Sequence, residues 1–237
     1  MAGSEESVRR GLRARLTGPL VQSWVVDAND GIIATAGLLE GFAGAGADDQ
    51  LLITAALAAT ITGALAVGGA KWAEAAAERD AQLATVAYEQ RLLEANPDDE
   101  VAELVEHYTG RGLTPDLARE VAEQLHAADP LAAQLETEYG IGEIPSARAP
   151  ILTGLGAGIS FAVGSSIPLL ITFVAPISLD AIAVLLAVVV SLIITSIIAA
   201  RSSYLSARRT IIRTLIVGLG TLGISYLAGM ALLPPAG

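Results

Sequence analysis

The sequence predicts an all-α, polytopic membrane protein: five transmembrane helices, with a cytoplasmic helical domain inserted between helices 2 and 3. Three observations carry that prediction. Of its 237 residues, 53% are hydrophobic and only 16% are charged, against roughly 25% charged in a soluble domain. The apolar residues gather into stretches of about 20, enough to cross roughly 30 Å of hydrocarbon at 1.5 Å per residue. The acids gather elsewhere: residues 74–148 hold 17 acidic and 5 basic residues, essentially the whole formal charge of −11.

Residues 1–23 read as a basic cytoplasmic arm. Arg9, Arg10, Arg13 and Arg15 stand there with no apolar run between them, the wrong pattern for a cleavable signal and the right one for orienting a following span. Residues 24–75 supply transmembrane helices 1 and 2, near 24–47 and 51–75. Both contain charge or many Gly and Ala residues, so they are stable in lipid only inside a bundle. Residues 76–148 form the acidic cytoplasmic domain. Residues 149–237 supply helices 3–5, near 150–174, 179–200 and 210–233.

Arginine placement orients the bundle, because cytoplasmic flanks are enriched in Lys and Arg. Arg9–Arg15 precede the first span, and Arg201, Arg208, Arg209 and Arg213 surround the connection between the fourth and fifth. Residues 46–50 and 175–180 contain no basic residue. The amino terminus and the insert are therefore expected inside and the carboxy terminus outside, in a multi-pass protein of a prokaryotic cell membrane.

The insert reads as helical. No proline interrupts 51–95, so the second span is expected to run on as one helix of about 65 Å, ended by Asn96-Pro97. Thr114-Pro115-Asp116 supplies an N-cap, a proline at the first helical position and an acid in the first turn, and Asp129-Pro130 repeats the device. Gly110 and Gly112 stop the preceding helix. Leu104, Val105, Leu117, Val121, Leu125, Leu131 and Leu135 are the expected buried face.

The composition also excludes. Without cysteine there is no disulfide framework and no thiolate metal site. No Gly-rich phosphate loop, no Ser-His-Asp arrangement and no basic aromatic face for nucleic acid is found. Lys71 is the only lysine among 14 basic residues, set against 25 acids. This balance, with abundant small residues, suggests a salt-rich, halophilic cytoplasm in which a dense surface charge is screened within a few ångströms.

Ionisable residues inside a span cost at least about 2.5 kcal/mol each and are functional candidates by default. Here they are Asp27, Asp30, Glu40 and Lys71. Asp30 sits in Ala28-Asn29-Asp30-Gly31, where Asn and Gly are able to loosen the helix and free carbonyls for a cation. Lys71 lies at similar depth, so a structural ion pair is the alternative to an ion site. Asp27 is placed near the interface, where plain hydration is the simpler reading. Glu40 reads either as a lone proton-carrying acid or as a group facing a wet cavity.

In the insert, Glu78 and Glu89 are eleven residues apart, hence on one helical face, with Glu74 one turn earlier. Carboxylates in line suit hard divalent cations; a solvated acidic face is the alternative. Glu123-x-x-His126 has the spacing of di-iron bundles but no second copy, and reads as surface. Gly37 with Gly41, and Gly154 with Gly158, allow close helix contact. Pro168 leaves a carbonyl of the third span unpaired by its own helix.

The layout resembles the vacuolar iron transporter family. The residues that carry the resemblance are Ala28-Asn29-Asp30-Gly31, Arg79-Asp80, Asn96-Pro97, Gly112-Leu113, Ser160-Phe161 with Gly164, Ile167-Pro168-Leu169-Leu170, and Gly218 with Tyr226 and Gly229. The resemblance implies five spans, a cytoplasmic metal-binding domain, a homodimer with a pore, and proton-coupled export of Fe²⁺ or Mn²⁺ from the cytosol. It implies no enzyme activity and no tightly bound cofactor, the metal being cargo; the partners are divalent ions and the lipid bilayer, not nucleic acid.

Carried over by position, Asp30 matches the family's pore aspartate, and Glu78, Glu89 and Glu138 match metal-domain glutamates. The transport-pore candidates are Asp30, Glu40 and Lys71, and the metal candidates are Asp30, Glu74, Glu78, Glu89 and Glu138. This chain also departs from the pattern. Ala70-Lys71 replaces the family's Gly-Glu, Val67 replaces a methionine, Ala81 and Leu92 replace glutamates, and Gln134-Leu135 replaces a methionine pair. Lys71 would repel Fe²⁺, neutralise Asp30 or serve in proton coupling. The alternative function is a non-transporting membrane protein whose acidic domain binds metal or a partner.

Overall fold

The computed structural model describes residues 19–174, 180–202 and 206–232. The arginines of the amino-terminal arm, residues 175–179 of one connection and the carboxy-terminal residues 233–237 lie outside them. The described residues form eight helices: α1 Pro19–Gly44, α2 Asp49–Ala95, α3 Pro97–Gly110, α4 Pro115–Ala128, α5 Pro130–Glu138, α6 Ala149–Val174, α7 Asp180–Ser202 and α8 Ala207–Leu232. The chain divides into two compact units, one from Met1–Trp72 with Ile151–Gly237 and one from Ala73–Pro150.

In the first unit α1 packs against α7 and α8, which also pack against each other. Ile32 and Ala36 of α1 are buried with Val184, Val188 and Leu192 of α7 and Leu222 of α8. Lipid provides no hydrophobic drive between such helices, so close approach through small residues must hold them. Gly37 and Gly41 lie against Thr221 and Ser225 of α8, and Gly229 lies against the Gly41 carbonyl. Gly68 of α2 meets Gly154 and Gly158 of α6 backbone to backbone, so the spaced glycines serve packing. α6 continues through Pro168, and Thr172 Oγ1 donates to the Pro168 carbonyl at 3.1 Å.

Long apolar side chains such as Ile159, Ile216 and Leu227 face outward. An apolar exterior around a small-residue interior is the pattern of a bundle solvated by lipid. Four described helices are long and apolar enough to cross a membrane: Asp49–Ala95, Ala149–Val174, Ile182–Ser202 and Ala207–Leu232. The fifth expected span, α1, has 26 residues, about 39 Å of rise. It falls short on composition, because it carries Asp27, Asp30 and Glu40.

α2 runs unbroken for 47 residues, as the absence of proline predicts. In the second unit, α3, α4 and α5 pack together around Leu104, Ala122 and Ala133, with Val101, Val105 and Leu125 at the edge. Leu117, expected inside, is exposed: alanines 118 and 122 occupy the contact face of α4 and let the helices approach closely. Proline opens all three helices, and Asp129 caps α5 by accepting from the Ala132 N–H at 3.0 Å. Gly112 ends the turn after α3 at φ +100°, a left-handed conformation that favours glycine. Arg79 Nε donates to the Pro145 carbonyl at 2.9 Å, fastening the segment after α5 to α2.

Candidate ion site

The membrane unit gathers three of the ionisable residues and sets the fourth apart. Gly31 approaches α6 so closely that an added Cβ would meet the Ser165 N–H at 2.9 Å, and Ala28 is pressed against Gly164 in the same way. That contact turns one stripe of α1, Asp27–Gly31–Thr35, into the bundle. Asp27 is only 3% exposed and its Oδ2 has no hydrogen-bond partner. The expectation of a hydrated interfacial Asp27 is thus corrected: packing of α1 on α6 removes its water. Asp30, one turn on, shares an exposed stripe with Val26 and Ala34.

Lys71 of α2 is half-buried, and its charge acts on both Asp27 and Asp30. Polar groups continue along the interior. Thr195 Oγ1 of α7 donates to Asn29 Oδ1 at 2.5 Å, Ser165 Oγ donates to the Gly31 carbonyl at 3.2 Å, and the buried hydroxyls of Thr35 and Ser196 have no partner. The glycine after Asp30 therefore serves contact with α6, while α1 stays helical through Ala28-Asn29-Asp30-Gly31. Glu40 lies about 15 Å further along α1. There it lines a cavity of about 370 Å³ with Ile182, Leu185, Leu219, Leu222, Gly223 and Tyr226.

In the acidic unit the expected metal ligands part company. Glu74 and Glu78 are exposed on α2, while Glu89, about 16 Å beyond Glu78 along the helix, is completely buried. Neither carboxyl oxygen of Glu89 has a well-directed hydrogen bond. Burial, close contact with the Glu100 carboxyl and the charges of Glu100 and Glu138 push Glu89 up to about 7. Loss of solvent and the charge of Glu138 likewise push Tyr139 up to about 12.

Glu100, absent from the sequence candidates, is the structure's addition. It is 4% exposed, and Gln134 Nε2 donates both to its Oε2 at 2.9 Å and to its carbonyl at 2.6 Å. Its signal was its position one turn before Leu104, on the buried stripe. Glu138, exposed on α5, acts on Glu89 and on Glu103, whose carboxyl is raised first by lost solvent and then by Glu100, Glu138, Asp99 and Glu106. Glu103, Glu106, His107, Gln134, Thr137 and Glu138 line a recess of about 240 Å³. Glu123 stays exposed. Among the described residues, no three His, Asp or Glu side chains converge as they stand to hold one metal ion.

The fold and these sites define a multi-pass helical membrane protein with carboxylates and a lysine inside its bundle and a separate acidic helical unit. The VIT family profile matches residues 21–230, and the chain belongs to that family. A vacuolar iron transporter of Acanthamoeba castellanii is 36% identical over 155 residues, 65% of this chain and 56% of that protein. Vacuolar iron transporter 1 of rice is 28% identical over 155 residues, 65% of this chain and 62% of that protein. The Arabidopsis thaliana protein of the same name is 26% identical over 179 residues, 75% and 69% of the two chains. The match thus spans between about half and two thirds of these relatives. They are named as transporters.

Proposed function

We propose that this protein carries a divalent metal ion, Fe²⁺ or Mn²⁺, across the membrane, exporting it from the cytosol in exchange for protons. The observation that carries the reading is Asp30: an exposed carboxylate in α1 of a VIT-family chain, one turn from a buried carboxylate. α1 is the fifth span, stabilised by α6, α7 and α8, because a lone helix with three acids would be expelled from lipid. Two copies form the pore, Asp30 lines it, Glu40 carries a proton in its own cavity, and the bundle works by alternating access. Glu74, Glu78, Glu89 and Glu138 gather the metal on the cytoplasmic side. The arginines beside α7 and α8 support placing that side with the amino terminus and the acidic unit, and the carboxy terminus opposite, in the cell membrane.

The test is flux of Fe²⁺ and Mn²⁺ into proteoliposomes holding wild type, Asp30→Asn or Lys71→Glu. Loss of flux in Asp30→Asn is the expected result; flux equal to wild type rejects Asp30 as a pore residue. One observation favours a second reading. The Lys71 charge falls on Asp30, which suits a protein whose acidic unit binds metal while its bundle moves none. Metal retained by the purified protein with no flux in any variant would select it.

A further inference from the structure

We propose that Asp27 is the standing counter-charge of Lys71, holding the ammonium away from Asp30 so that Asp30 stays available to a cation. A buried carboxylate without a hydrogen bond at one oxygen needs a positive partner to remain charged. For Asp27 the described residues of α1, α6 and the membrane-unit part of α2 offer one. α1 and α6 contain no Lys or Arg, and Lys71 is the only basic residue in the membrane-unit part of α2. Arg201, Arg208 and Arg209 sit at the ends of α7 and α8, and Arg213, in the second turn of α8, is exposed.

The helix register favours Asp27 over Asp30. Along α6, Ala28 and Gly31 of α1 meet Gly164, Phe161 and Ser165, while Gly63 and Gly68 of α2 meet Phe161, Gly158 and Gly154, so α1 and α2 run antiparallel past it. Towards their common end the order is Asp30, Asp27, Lys71. Asp27 is thus nearer than Asp30 to Lys71 along the axis, by about 4.5 Å. Burial agrees with register. Asp27 is shut inside the unit, whereas Asp30 is exposed. Of the two carboxylates of α1 that the Lys71 charge acts on, Asp27 is buried and Asp30 is the one left exposed.

This accounts for a lysine in a cation path. Lys71 alone would occupy Asp30 as a tethered competitor; with Asp27 present it forms part of the wall. The inference rests on the transport reading only for its effect on flux, so a melting test stands beside the flux test.

The experiment is a double-mutant cycle. Asp27→Asn, Lys71→Gln and the pair are purified in detergent, and Asp30→Asn with Lys71→Gln serves as the control cycle. Non-additive melting is expected for 27 with 71, the pair losing clearly less than the sum of the single losses. The control is expected to couple clearly more weakly than 27 with 71, because the Lys71 charge reaches Asp30 without being its standing partner. In proteoliposomes Asp27→Asn is expected to lower Fe²⁺ or Mn²⁺ flux by at least about tenfold, because the ammonium turns to Asp30, and Lys71→Gln is expected to restore it. If Asp27→Asn does not fold while the pair does, the pairing is supported. Additive melting for 27 with 71, or a pair no better than Asp27→Asn in both fold and flux, overturns it. If the wild type moves no metal, the transport reading falls and the melting cycle alone decides the pairing.

Discussion

Replacing Glu89 by Gln should stabilise the acidic unit in a strongly pH-dependent way. The folded protein pushes Glu89 up to about 7 from an ordinary 4.5. Its proton is therefore held more tightly in the folded state than in the unfolded chain. The stabilising contribution is complete below pH 4.5 and is lost as the pH rises towards 7, because the unfolded chain releases its proton first. Above pH 7 the folded state carries a buried charge next to Glu100 and Glu138. That costs on the order of 3 kcal/mol, since each tenfold change in proton affinity is worth about 1.4 kcal/mol. Glutamine keeps the shape and never ionises. Amide hydrogen exchange across α3, whose Glu100 lies beside this group, reads the local opening energy. With metal removed by chelator, Glu89→Gln should raise protection about a hundredfold over wild type at pH 8, and by no more than about twofold at pH 4.5. An equal change at both pH values would show that packing, not charge, sets the environment of Glu89.

Three further outcomes follow from the packing, caps and charge. Gly31→Ala should melt well below wild type, since its Cβ would meet backbone of Phe161 and Ser165, while Gly69→Ala, with nothing within 4 Å, should melt like wild type; equal melting would remove the α1–α6 contact. Asp129→Ala should cost α5 about 1 kcal/mol through its lost bond to the Ala132 N–H, seen as faster exchange confined to that helix. The acidic unit, which carries nearly all of the net charge of −11, should lose helical circular dichroism when salt is lowered from molar to millimolar; an unchanged spectrum would dismiss the salt-adapted reading.

Much of the fold was legible because it rests on local rules. Absence of proline over 51–95 allowed one long helix, proline opened α4 and α5, Asp129 capped α5 while the Thr114 side chain makes no capping bond to α4, and spaced glycines marked where helices touch. Small Ala and Gly contacts were harder to read than large apolar ones, which is why Leu117 was expected inside and Ala118 was overlooked. α1 was readable as a helix, yet its three acids keep it below the composition of a span, and its membership of the bundle depends on partners far away in the chain.

Sequence by itself determined the class of the protein, because composition decides which solvent a helix tolerates and periodic small residues decide which faces can approach. It named Asp30, Lys71, Glu89 and Glu138 as groups to watch. Only the tertiary structure decided what each one meets. Asp27 and Asp30 are three residues apart with the same chemistry, and contact with α6 buries one and leaves the other exposed. Glu78 and Glu89 share a helix, and only Glu89 is buried, beside a Glu100 absent from the sequence candidates. Burial and electrostatic neighbourhood belong to packed helices, so the charge state of a carboxylate is a property of the fold before it is a property of the residue.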